Sequence, residues 1–399
     1  MKRAVLSAAV LVTLAYPASA QLPNLIPDLP TFGPDWTDLA FPKLYWTPTV
    51  GLAGGLYYAQ INQLGYDDWD DPAPYRAAIS LDFNLSTSGT RRIQLQSRMP
   101  KLIDGWRFVV TLEARRDSRE RYFGIGNGSV FDKANETDAA PYFYRSDNYR
   151  YIGRGEVQRR IVGGLRFLTG LHFERWRIDT LPGPSRLALD LASGADATIG
   201  QNTGEVAGRI GLVFDTRNDE PAPTRGVLVE TILDFADSSV AGQVNYTRAT
   251  ASATAYFPVL PHVGIAARIA GQSVLSGNPP LGTYYRFEAS DRPFYSLGGP
   301  DTHRAIPERR LLDADKIFAN FDVRFDLFAE PRLARATIVG FVDAGRVFPA
   351  GDLALTTEGL MVGGGLGLFL QVFRTGILGT TAAVGPDGLI LNFHTWWPF

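Results

Sequence analysis

The stretch IFANFDVRFDL, Ile317 to Leu327, decides the fold class. Ile317, Ala319, Phe321, Val323, Phe325 and Leu327 share one face of an extended chain, with Asn320, Asp322, Arg324 and Asp326 on the other, because successive side chains of a strand point to opposite sides. An apolar face and a charged face need different solvents. Lipid outside and a wet lumen inside satisfy both in a transmembrane barrel. The next stretch, Thr337 to Phe348, sets Asp343 on the same face as Phe341 and Gly345. Upstream runs a long loop carrying Gly298-Gly299-Pro300-Asp301-Thr302-His303-Arg304-Ala305-Ile306. The expected architecture is all-β: a sixteen-stranded antiparallel transmembrane β-barrel whose long extracellular loop folds inward. Arg304 then faces a lumen that already holds Asp322 and Asp343.

The same alternation recurs along the chain. Tyr75, Ala77, Ile79, Leu81, Phe83 and Leu85 oppose Arg76, Ser80, Asp82 and Asn84; Trp106, Phe108, Val110, Leu112 and Ala114 oppose Arg107, Thr111, Glu113 and Arg115. Such segments run about ten residues, the length a tilted strand needs to cross hydrocarbon. Sixteen strands are expected between residue 40 and Phe399, the first short (40–47) and the last at 387–399. With a periplasmic start, the three longest gaps (117–143, 180–203 and 275–314) all fall outside the cell. The acidic segment 61–74 is the one long connection on the periplasmic side.

Lys2-Arg3, an apolar run from Ala4 to Tyr16 and Ala18-Ser19-Ala20 describe a signal peptide over 1–20. Residues 21–39, with four prolines, read as a periplasmic lead-in, and 40–399 as the barrel. No later stretch approaches ~18 consecutive apolar residues, so no transmembrane helix is expected. The chain has no cysteine and a net charge of −2, which argues against a disulfide-stapled domain and a nucleic-acid partner. Its 41 glycines, 24 Phe, 16 Tyr and 7 Trp suit tight turns, close strand packing and aromatic girdles.

Other chemistries find little support. Gly124–Gly128 and Gly363–Gly367 open no amphipathic helix, as a phosphate loop must. The four histidines (172, 262, 303 and 394) stand in no nucleophile or metal-ligand pattern. Asp67 to Asp71 could offer oxygen ligands to Ca²⁺ but reads better as a solvated turn. Neither cofactor, metal nor catalytic residue is expected. Leu389, Leu391, Phe393, Trp397 and Phe399 fall on one face of the last strand. A terminal aromatic there is what the outer-membrane assembly machinery reads as an insertion signal, so Phe399 and Trp397 are assigned that role. That machinery and the lipid of a Gram-negative outer membrane are the expected partners.

Several motifs, in order and spacing, resemble the BamA/TamA-like superfamily of outer-membrane assembly and translocation barrels, also called bacterial surface antigens. Gly211-Leu212-Val213-Phe214-Asp215-Thr216-Arg217 before Pro223-Thr224-Arg225-Gly226 resembles its strand–turn–strand. Leu297-Gly298-Gly299 leading to His303-Arg304-Ala305-Ile306 resembles its Val-Arg-Gly-aromatic loop, and Phe341-Val342-Asp343-Ala344-Gly345 its Phe-x-Asp-x-Gly strand. His303, Ala305 and Ile306 depart from that pattern; Arg304 keeps it. The resemblance is to the short branch without periplasmic POTRA modules. It implies a loop locked in the lumen by Arg304 with Asp343 and Asp322, an unfolded outer-membrane protein as client, and a weak seam between first and last strands acting as a lateral gate. Spacing alone leaves open a solvent-exposed Arg304 with Asp343 paired to Arg324 or Arg346. The rival functions are a passive channel, a structural barrel without a client, and an outer-membrane hydrolase.

Overall fold

A computed structural model describes residues 32–47, 49–68, 70–240, 242–330 and 333–399. The expected signal peptide, most of the lead-in, and Pro48 lie outside the described residues. One antiparallel sheet contains sixteen strands, each paired with the next along the sheet. They are β1 (Trp36–Thr47), β2 (Gly51–Asn62), β3 (Ala77–Ser86), β4 (Arg91–Ile103), β5 (Trp106–Arg121), β6 (Arg145–Val162), β7 (Leu165–Thr180), β8 (Thr203–Asp215), β9 (Gly226–Ala236), β10 (Tyr246–Leu260) and β11 (Val263–Gly277). After a small hairpin, β12 (Arg286–Phe287) and β13 (Phe294–Tyr295), the sheet resumes with β14 (Asp315–Glu330), β15 (Ala334–Phe348), β16 (Met361–Val372), β17 (Gly376–Gly385) and β18 (Gly388–His394).

The two faces separate by polarity as the alternation demands. On β14, Phe321 is 45% exposed and Asp322 only 1%. Leu81, Phe83 and Leu85 on β3 and Leu366 and Leu368 on β16 are likewise exposed, whereas Arg154, Glu156, Arg209, Asp234 and Arg248 are buried. The inner charged face is sealed because one segment between β11 and β14 fills it. That segment bonds Arg98 on β4, Arg154 on β6, Glu230 on β9, Gln272 on β11, Asp343 on β15 and Asn392 on β18. A single segment reaches the inner faces of so many strands only when the sheet wraps around it.

The sheet's two ends differ from expectation. β1 starts at Trp36, four residues inside the expected lead-in, and is as long as its partner β2. Its register is unbroken from Trp36↔Asn62 to Thr47↔Gly51, with Pro42 opposite Leu56. A proline is tolerated here because β1 borders only β2 in the ladder and needs no second row of donors. β18 stops at His394, five residues short of Phe399. Among the described residues no ladder joins β18 to β1.

The long connection 63–76 lies across the periplasmic mouth. Pro72 accepts from the Glu220 N–H in the β8–β9 turn at 2.9 Å, and the Asp71 carbonyl accepts from Arg374 beyond β16. Asp68 and Asp71 both pair with Lys101, which leaves these carboxylates engaged with a lysine.

Candidate functional site

The inward segment spans the whole lumen. At the extracellular rim Arg310 bonds Asp387 and Ser129; at the periplasmic end Arg98 bridges Asp291 of the segment and Glu220 of the β8–β9 turn. Its tight tip depends on Gly298 and Gly299, at φ 114° and 88°. A Cβ on Gly298 would lie 2.1 Å from the Pro307 carbonyl oxygen, so only glycine fits. The Gly299 N–H donates to the carbonyls of His303 and Ile306, and Thr302 Oγ1 donates to the Ser296 carbonyl at 3.0 Å.

This tip delivers Arg304 to β14 and β15. Its backbone N–H and Nε donate to Asp343 Oδ2 at 2.7 and 2.9 Å, and Nη2 donates to Asp343 Oδ1 and Asp322 Oδ1, each at 2.7 Å. The guanidinium lies 3.8 Å from the Phe341 ring centre. Asn320 ties the elements together, its Nδ2 donating to both Asp343 Oδ1 and the Thr302 carbonyl at 2.8 Å. From β18, Asn392 Nδ2 donates to the Arg304 carbonyl at 2.9 Å. Burial opposes the charge on Arg304, but Asp322 and Asp343 outweigh it and hold the guanidinium above its ordinary pKa. The competing pairings are not the ones observed: Arg324 pairs with Asp322, and Arg346 bonds the Glu358 carbonyl.

The flanking residues fit this seat. His303 Nε2 bonds the Met361 carbonyl at 2.9 Å, which makes Nε2 the donor. Ala305 is fully buried against Gly363 and Gly385. Ile306 packs with Phe287, Leu297, Leu311, Phe318 and Val347. Gly345 leaves room for Leu297, since a Cβ there would approach it to 3.3 Å. Asp215 and Arg217 lie apart from this group, at the β8–β9 turn, where Arg217 Nε and Nη2 fork onto the Asp215 carboxylate at 3.0 and 2.9 Å.

A second cluster escaped sequence reasoning. Glu288 accepts from Arg209 at 2.6 Å, Arg248 at 2.9 Å and Arg154 at 3.3 Å, on β8, β10 and β6, and from its neighbour Arg286. Arg286 in turn forks onto Glu174 and Glu205. His172 lies near both carboxylates, a grouping that suits a metal ion. Here the guanidinium of Arg286 already takes the cation's place.

The placement of the C-terminal aromatics on one strand face needs correcting. Leu389, Leu391 and Phe393 are exposed on the lipid side, but Trp397 is buried and does not share their face. Past His394 the chain turns into the lumen. Trp397 packs on Phe369, under Arg324 and Arg335, and the Phe399 ring lies beneath Arg268.

A sixteen-stranded barrel with hydrocarbon-facing outer side chains and a loop filling its charged interior is an integral protein of the bacterial outer membrane. Residues 77–372 match the model of the Omp85 superfamily domain. The chain belongs to the Omp85 superfamily. Among solved structures it is similar to BamA from Haemophilus ducreyi lacking POTRA domains 1-3 (13% identity, TM-score 0.53, 90% of this chain and 69% of that one). It is also similar to CdiB from Escherichia coli (11% identity, TM-score 0.57, 92% of this chain and 63% of that one). The chain thus spans a little under two thirds of the CdiB structure's length. A comparison with curated protein sequences returns no match.

Proposed function

We propose that this barrel handles polypeptide in the outer membrane, assisting insertion or translocation without enzymatic chemistry, and that Arg304 locks its inward loop. The observation that carries the reading is the four-bond seat of Arg304 on Asp343 and Asp322, joined to membership of a superfamily whose relatives include BamA. A bidentate, buried guanidinium–carboxylate pair holds a loop in one geometry. Clients would arrive from the periplasm, where the lumen opens into a cavity of about 430 Å³ lined by Arg98, Arg217, Glu220, Trp396 and Phe399. The proline-bearing β1 and the seven-residue β18 would form the seam at which an incoming strand enters lipid.

The test is photo-crosslinking from a probe at Leu389 in native membranes, followed by identification of the captured chains. Recovery of unfolded outer-membrane proteins supports the reading. Recovery of lipid and neighbouring folded barrels alone would sink it and leave a structural barrel.

A further inference from the structure

We infer that Arg159 and Trp106 form a binding site for the phosphate of a phospholipid in the periplasmic leaflet, a property independent of any client. Trp106 and Arg159 are register partners on β5 and β6, and Arg159 is opposite Phe167 on β7. All three fall on the lipid-facing side, where Phe167 is 42% exposed. The strand is at its periplasmic end here: Gly105 precedes Trp106, and the turn at Gly163 follows Val162.

An arginine facing hydrocarbon at mid-membrane is costly, but near the interface its long side chain reaches the headgroups at little cost. Arg159 has apolar neighbours along its strand on both sides, Val157 toward the barrel's middle and the exposed Ile161 toward the turn. That sets it at the boundary rather than in water. Its guanidinium stacks 4.8 Å from the Trp106 ring centre, the amphipathic ring that membrane interfaces favour. Gly105 makes the approach possible, because a Cβ there would lie 2.9 Å from Arg159 Nη1.

What separates Arg159 from the cations nearest it on this rim is its lack of an acid. Arg160 pairs with Asp104 at 2.7 Å, Lys101 with Asp68 and Asp71, and Arg107 with Glu220. No carboxylate pairs with Arg159 among the described residues. Its donors point where lipid headgroups lie, and the complementary group in that layer is a phosphodiester. The aromatic floor of Trp106, stacked on Phe108, would receive the glycerol and the first acyl carbons.

Native mass spectrometry of the delipidated full chain, titrated with phosphatidylglycerol or with diacylglycerol of the same chains, tests this. The wild type should retain phosphatidylglycerol over diacylglycerol. Arg159→Gln should retain it about tenfold less well, the scale of a charge-assisted hydrogen bond. Arg160→Gln, already paired to Asp104, should behave as wild type, and Arg159→Lys should keep part of the preference. A heat-modifiable gel shift checks that each variant is folded. If Arg159→Gln misfolds, Trp106→Leu, which removes the ring beneath the guanidinium, is expected to lower the preference for phosphatidylglycerol as well. Equal retention by wild type and Arg159→Gln, or equal retention of the two lipids by wild type, overturns the proposal.

Discussion

At the scale of the residue, Arg304 depends on geometry as much as on charge. Arg304→Lys keeps the charge but cannot fork to Asp343 while reaching Asp322, so loss of the loop's heat resistance is expected to approach that of Arg304→Ala. Arg304→Ala and Asp343→Ala should each cost ~3–5 kcal/mol, because each strands a buried partner. In a double-mutant cycle read by thermal unfolding in detergent, the double variant should be little worse than either single one; strictly additive losses would refute direct coupling. His303 adds a pH dependence. Burial holds its pKa below the ordinary histidine value in the folded chain, and among the described residues Nδ1 has no hydrogen-bond partner to receive a second proton's charge. Below about pH 6.5 the unfolded chain therefore binds more protons than the folded one, and stability falls with pH through that window. Wild type should lose more thermal stability between about pH 7.5 and pH 5.5 than His303→Gln, whose amide can still donate to Met361. Equal losses in the two proteins would show that His303 does not report the change.

At the scale of the element, the strands were legible because each must satisfy two solvents at once. Ile317 to Leu327 could be read without structure since a one-residue slip would turn Asp322 and Arg324 into lipid. The inward segment obeys no such period, and its partners lie on strands far away in sequence. Glu205 and Arg209 alternate with apolar residues along β8, but nothing in their spacing points to Glu288, 79 residues from Arg209. Only the Arg304 motif stood out, and it did so through resemblance. The ends were misread for a related reason: edge strands tolerate prolines, and a tail of Trp396, Trp397 and Phe399 looks apolar whether lipid or lumen receives it. The structure also explains a departure in the loop motif. Ala305 replaces the usual glycine, and β16 and β17 offer glycines beneath it: a Cβ on Gly363 would sit 2.4 Å from the Ala305 methyl, and one on Gly385 2.2 Å from its carbonyl oxygen. Gly363→Val should therefore dislodge the tip, while also crowding the Val384 carbonyl of β17 at 2.8 Å, read as protease cleavage within 298–306 of a barrel that keeps its gel shift. Ala305→Gly should relieve nothing and leave the wild-type loop protected. Protection of the tip in Gly363→Val would contradict this close seat.

At the scale of the whole molecule, two buried anchors lead the inward loop's many contacts: Arg304 to β14 and β15, and Glu288 to β6, β8 and β10. The two anchors engage separate strands of one lumen wall, with β11 between β10 and β14, so releasing either leaves the loop tethered by the other. A passive channel and an occluded barrel then differ measurably. If the loop fills the lumen in the membrane as it does here, wild type in planar bilayers should be nearly silent. Arg304→Ala alone should give only rare openings, and Glu288→Gln likewise, since Arg154, Arg209 and Arg248 keep Glu156 and Asp234 as partners. Arg304→Ala combined with Glu288→Gln should open the pore more than the sum of the single variants, because only then are both buried anchors released. Steady conductance from wild type would mean that the loop does not seal the lumen and would favour the channel reading. Silence from the double variant would place the seal in the extracellular cap instead, where Tyr122, Trp176, Leu187, Leu281, Tyr285 and Leu312 pack together above the lumen.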